Sequence, residues 1–174
     1  KMKQAGDIVR YGKVKKYGFK KEYKFNSIDI ETVDNEMFLL GYHINEKYYY
    51  TLENFFETIN NILIKSVQDN RDILTWSRYD NHHIFKLILN NVINDEGEKI
   101  EILKKISKIT PILKYNYNGY SITILNIIKD SIILEVSFGN SIKQVNIYNL
   151  KNLFQSDLLT ISQNYNLTYY SKLG

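Results

Sequence analysis

The stretch Phe25-Asn26-Ser27-Ile28-Asp29-Ile30-Glu31 decides how the chain is read. Apolar and polar residues alternate through it with a period of two, as in a β-strand whose two faces meet different surroundings. Ile28 and Ile30 fall on one face, Asp29 and Glu31 on the other. The strand rise sets the two carboxylates about 7 Å apart. Such neighbours repel and raise one another's pKa, whereas a divalent cation reverses the penalty by offering both a charge to ligate. Hard oxygen donors in a chain without cysteine point to Mg²⁺ or Mn²⁺ rather than Zn²⁺. A solvated acidic strand face would read the same way.

Working outward, Met37 to Ile44 and Lys47 to Thr51 continue as strands, divided by Asp34-Asn35-Glu36 and Asn45-Glu46, which predicts an antiparallel meander. Leu52, Phe55, Phe56, Ile59, Ile62 and Leu63 line one face of a helix over 52–64, with Thr51 at its opening and Glu53 in its first turn. Ile73-Leu74-Thr75-Trp76 reads as a short buried strand. A second helix follows with Asp80 or Asn81 as its cap and Ile84, Phe85, Ile88 and Val92 on its face. Ile100, Leu103, Ile106 and Ile109 mark a third helix that stops before Pro111. The runs 112–117, 121–128, 132–138 and 142–148 read as hairpin-linked strands, and 158–165 as a closing helix. This order predicts an α/β domain over residues 25–174, built on a mixed sheet flanked by helices.

Residues 1–24 form a basic arm or first strand, with Lys13, Lys15, Lys16, Lys20, Lys21 and Lys24 among Tyr11, Tyr17, Phe19 and Tyr23. Either the arm contacts phosphates and stacks on bases, or it is a solvated lysine-rich edge. The net charge of +4 suits a polyanionic partner modestly. The chain has one Ala, one Pro and Arg only at positions 10, 71 and 78, so amino acids with GC-rich codons are scarce and an AT-rich genome accounts for part of the lysine and asparagine. At 174 residues and 44% hydrophobic content there is material for one core. No run of eighteen apolar residues is present, so no membrane span is expected. Without cysteine there is neither a thiolate metal site nor a cysteine nucleophile, and no glycine-rich phosphate loop occurs.

Asp80, in Trp76-Ser77-Arg78-Tyr79-Asp80-Asn81, sits where a strand hands over to a helix, at the carboxyl edge where α/β sheets gather ligands. It is a ligand candidate or a helix cap. His82-His83 reads as a surface or cap pair, because adjacent helical residues face different directions. In Tyr48-Tyr49-Tyr50 the middle ring points away from the outer two, for sheet packing or for base stacking.

Residues 25–32, Phe-Asn-Ser-Ile-Asp-Ile-Glu-Thr, resemble the first motif of the DEDD 3′-5′ exonucleases. The succession Leu40-Gly41-Tyr42, Leu52-Glu53-Asn54-Phe55, Ser77-Arg78-Tyr79-Asp80 and Asn149-Leu150-Lys151-Asn152-Leu153 is similar to the exonuclease domain of protein-primed family B DNA polymerases, from Phe25 to Gly174. The resemblance implies an RNase H-like fold, two Mg²⁺ or Mn²⁺ ions, and removal of nucleotides from a primer 3′ end. It assigns Asp29, Glu31 and Asp80 as catalytic metal ligands. Tyr79 would pack against the terminal base, Ser77 would stand at the 3′-nucleotide contact, Leu150 would hold the 3′ strand, and Lys172 would lie near the scissile phosphate. The implied partners are single-stranded or primer-template DNA, a polymerase module and a terminal protein. The implied setting is intracellular, cytoplasmic for a viral or plasmid protein, or mitochondrial.

Two departures qualify the match. Ser77 or Trp76 stands where the family has Asn, and the third motif, Tyr-x-x-x-Asp, does not occur: Tyr148 is followed four places on by Asn152, and Tyr165 by Tyr169. The expectation is a domain truncated before its fourth carboxylate, with little or no hydrolysis by the 174-residue chain. The alternative is a non-catalytic, exonuclease-like module that binds nucleic acid or serves a larger assembly structurally.

Overall fold

The computed structural model describes residues 24–106 and 111–151. The described residues open with β1 (Phe25–Val33), β2 (Glu36–Ile44) and β3 (Lys47–Thr51), followed by α1 (Phe55–Gln68), β4 (Asp72–Thr75), α2 (Arg78–Val92) and α3 (Glu96–Lys105). Then come β5 (Leu113–Tyr117), β6 (Tyr120–Ile128), β7 (Ser131–Phe138) and β8 (Ser141–Asn149). The predicted closing helix over 158–165 lies outside the described residues.

Two-residue loops make the hairpins. Asp34-Asn35, Asn45-Glu46, Asn118-Gly119 and Lys129-Asp130 all take positive φ at both positions, the geometry whose twist matches that of the flanking strands. Asn and Asp tolerate it by local hydrogen bonding, which is why they dominate these loops.

The described strands form one eight-stranded sheet in the order β3-β2-β1-β4-β8-β7-β6-β5. β1 runs parallel to β4, and β4 parallel to β8, while the other neighbours are antiparallel. The fold is therefore an α/β mixed sheet flanked by helices, as expected, and its central order is compatible with an RNase H-like arrangement. β1 alternates as its sequence predicts, with Ile28 and Ile30 buried and Asp29 and Glu31 exposed. The buried side joins Leu40, Ile73, Ile132, Leu134, Val145 and Ile147 of the sheet to Ile59, Ile62 and Leu63 of α1 and Ile84 and Ile88 of α2. Burying each such side chain contributes about 1.5–3 kcal/mol, which locks α1 and α2 on this face. α3 buries none of its residues.

The two main helices depart from the expected starts in opposite directions, α1 beginning later and α2 earlier. α1 takes Asn54 as its N-cap residue, and Thr51 instead makes a turn in which its hydroxyl donates to the Glu53 carbonyl. α2 is capped by Ser77 rather than by Asp80 or Asn81.

Candidate functional site

Ser27 of β1 stands opposite Leu74 of β4 in parallel register, so the two strands deliver their carboxyl ends to one edge of the sheet. Beyond β4 the chain passes Trp76 and enters α2 at Ser77. Ser77 followed three residues later by Asp80 is a capping-box pattern, in which each side chain satisfies an amide the helix end leaves open. The Ser77 hydroxyl accepts from the Tyr79 amide at 3.3 Å, and the Asp80 carboxylate accepts from the Ser77 amide at 3.3 Å. Asp80 is thus the third residue of the helix, and its carboxylate turns back over the sheet edge toward β1.

Asp80 is only 5% exposed. Burial raises its pKa and the nearby charge of Asp29 raises it further, while the amides of Ser77, Ile30 and Trp76 pull the other way. The charge of Asp29 therefore reaches Asp80 across fifty intervening residues of chain. Neither has an ion-pair partner among the described residues. Glu31 shares the exposed face of Asp29, yet it is not among the charges that shift Asp80. The ladder with β2 slips between Glu31 and Thr32, the kind of irregularity that re-aims side chains near functional edges. Among the described residues no three His, Asp or Glu side chains are gathered as a metal-holding group. A pair of uncompensated carboxylates suits a hard divalent cation, with further ligands to be completed by Glu31, water or substrate oxygens.

Ser77, Tyr79 and the Leu150 segment, also assigned from sequence, lie at the same edge. Tyr79 is 43% exposed, its hydroxyl lies 2.6 Å from the Thr32 hydroxyl, and its ring meets the edge of His83 at 4.5 Å. Trp76 is also exposed, and its carbonyl accepts from the Lys151 amide at 2.9 Å, which brings the Leu150 segment alongside. The Ser77 hydroxyl is engaged in the cap, so its contact to a nucleotide competes with that bond. Lys172 and the basic residues 1–23 lie outside the described residues. Lys24 is described, and it pairs with Glu46 at 3.7 Å.

A largely buried polar network fastens this edge, and the sequence reading did not find it. Asn81 is bonded to the Thr75 hydroxyl and donates to the carbonyls of Asp130 at 2.7 Å and Ile147 at 3.1 Å. Asn149 donates to the Lys129 carbonyl at 3.1 Å, and Arg78 pairs with Asp130 at 3.4 Å. The start of α2 is thereby fastened to β4, to β8 and to the β6–β7 turn. The available signal was an Asn directly following Asp80 on an otherwise apolar face. His83 differs from the expected surface pair: it is buried, its Nε2 has no hydrogen-bond partner, and burial followed by the charges of His82 and Lys86 lowers its pKa.

The chain matches no protein-family model, and no curated protein or solved structure matches it either. No helix among the described residues is long and apolar enough to cross a membrane.

Proposed function

We propose that this is the 3′-5′ exonuclease domain of a protein-primed, family B type DNA polymerase. The observation that supports the reading is that the charge of Asp29 reaches the buried Asp80 at the carboxyl edge of β1 and β4, beside the exposed rings of Trp76 and Tyr79. Asp29 and Asp80, with Glu31 on the same strand face, would hold two Mg²⁺ or Mn²⁺ ions. Bound there, the ions supply Lewis acidity for phosphodiester hydrolysis. Tyr79 offers a flat ring to the terminal base, and stacking of that kind tolerates any base. Leu150 borders the path of the 3′ strand, and Ser77 closes it on the α2 side. On this reading the domain works inside a cell, on single-stranded or primer-template DNA, beside a polymerase module and a terminal protein.

A second reading, a non-catalytic nucleic-acid-binding module, is favoured by one observation: the described residues gather two carboxylates rather than three. A 5′-labelled oligonucleotide incubated with Mg²⁺ or Mn²⁺ separates the two. The exonuclease reading expects trace 3′ shortening at most by the 174-residue chain and clear shortening by a longer chain carrying a following Tyr-x-x-x-Asp. In that chain Asp29→Ala should lower the rate by several orders of magnitude. A longer chain that binds the oligonucleotide and leaves it intact supports the module instead.

A further inference from the structure

Gly41 is the residue of β2 directly opposite Asp29. A side chain there would collide with a ring: a Cβ added to Gly41 would lie 2.5 Å from the Tyr48 hydroxyl oxygen, 3.0 Å from its Cε1 and 3.1 Å from its Cζ. Tyr48, on β3, therefore lies across the glycine. Opposite residues of an antiparallel pair carry their Cβ atoms about 4.5–5.5 Å apart, which puts the hydroxyl within about 8 Å of the Asp29 Cβ. The Tyr48 hydroxyl and the Asp29 side chain therefore lie on the same face of the sheet, on either side of Gly41.

The ring is held from its other side as well. Tyr48 stands opposite His43, their rings meet at 5.0 Å, and His43 is itself fixed by a 3.1 Å hydrogen bond between its Nδ1 and the Ser27 hydroxyl. Covering a sheet glycine with an aromatic ring is a known stabilising device. That device explains the ring and leaves the hydroxyl unexplained. The Tyr48 side is 55% exposed, and its hydroxyl has no hydrogen-bond partner among the described residues.

We propose that the Tyr48 hydroxyl is a substrate-positioning contact of the Asp29 site, donating a hydrogen bond to a non-bridging oxygen of the phosphodiester held there. The inference rests on the nucleic-acid reading given above. It gives the glycine at position 41 a function, since a methyl group there would push the hydroxyl away from Asp29.

The test measures binding of a short 5′-labelled oligo(dT) by fluorescence anisotropy, with Ca²⁺ present so that hydrolysis is held back. Tyr48→Phe keeps the ring and its packing, so its urea midpoint should match wild type while its affinity falls about tenfold, as for a lost hydrogen bond to a charged group. Gly41→Ala should give the same loss by displacing the ring, and the double variant should lose no more. With oligonucleotides whose last linkage is a single phosphorothioate diastereomer, wild type should prefer one form and Tyr48→Phe should not. If Gly41→Ala does not fold, Tyr48→Phe still decides the matter. Unchanged affinity and unchanged diastereomer preference in Tyr48→Phe, with Asp29→Ala impaired, would overturn this inference alone. Wild-type protein that binds no oligonucleotide would overturn the nucleic-acid reading and this inference with it.

Discussion

The hydroxyls of Thr32 and Tyr79 lie 2.6 Å apart and hydrogen-bond, tying the end of β1 to the first turn of α2. The two elements that carry Asp29 and Asp80 are thereby tied together: Asp29 lies three residues before Thr32, and Asp80 follows Tyr79. Tyr79→Phe removes only the bond, and because it is exposed the stability cost should be about 0.5–1.5 kcal/mol in urea unfolding. Tyr79→Ala should in addition weaken single-stranded DNA binding several-fold, since stacking contributes about 1–3 kcal/mol per base.

Asp80 gives a pH signature with a definite sign. Its pKa is raised in the folded state, first by burial and then by Asp29, so the stability that its protonated form contributes is full below the ordinary value of 3.8 and is lost as pH rises through the folded value. Asp80→Asn keeps a capping side chain without the charge. The variant should melt above wild type at neutral pH, and the gap should close as the pH is lowered toward the ordinary carboxylate range. Thermal melts of both proteins across acidic and neutral pH check this.

Asn81 should matter to stability out of proportion to its size. It is 2% exposed and serves Thr75, Asp130 and Ile147 at once. Asn81→Ala removes the bonds to the Thr75 hydroxyl and to the carbonyls of Asp130 and Ile147, and each such bond contributes about 0.5–1.5 kcal/mol. Urea denaturation should show a loss of at least that size, whereas Asn90→Ala on the exposed side of the same helix should change little.

How far the sequence could be read follows from the physics of each element. β1 and the hairpins were legible because period-two alternation and turn pairs such as Asn118-Gly119 are local signals, complete within a few residues. The cap of α2 was not, because Ser77, Asp80 and Asn81 are all good capping residues, and only the tertiary position of Trp76 and β8 settles which one ends the helix. The resemblance implies that Asp29 and Asp80 share a site, and the charge of Asp29 reaches Asp80. Glu31 is not among the charges that act on Asp80, and the register slip that follows it is something alternation alone does not announce. His83 was read as a surface or cap residue and Asn81 as a cap, because the partners that bury them, the Tyr79 ring and distant backbone carbonyls, are not local in sequence.

Salt dependence tests the partner. If the edge around Asp29, Tyr79 and Leu150 and the basic residues of 1–24 grip a 3′ strand, each neutralised phosphate adds about 0.7 to the slope of log affinity against log salt. A steep slope on oligo(dT) is expected, and a slope near zero would argue against a nucleic-acid partner.

The central claim is that Asp29 and Asp80 form one cation site, and Mn²⁺ titration followed by amide NMR tests it most directly. Paramagnetic broadening should begin at Asp29, Ile30, Trp76 and Asp80, at weak affinity, and should vanish from those residues in both Asp29→Ala and Asp80→Asn. Broadening that starts elsewhere, or that persists unchanged at the same residues in Asp29→Ala, would contradict the account.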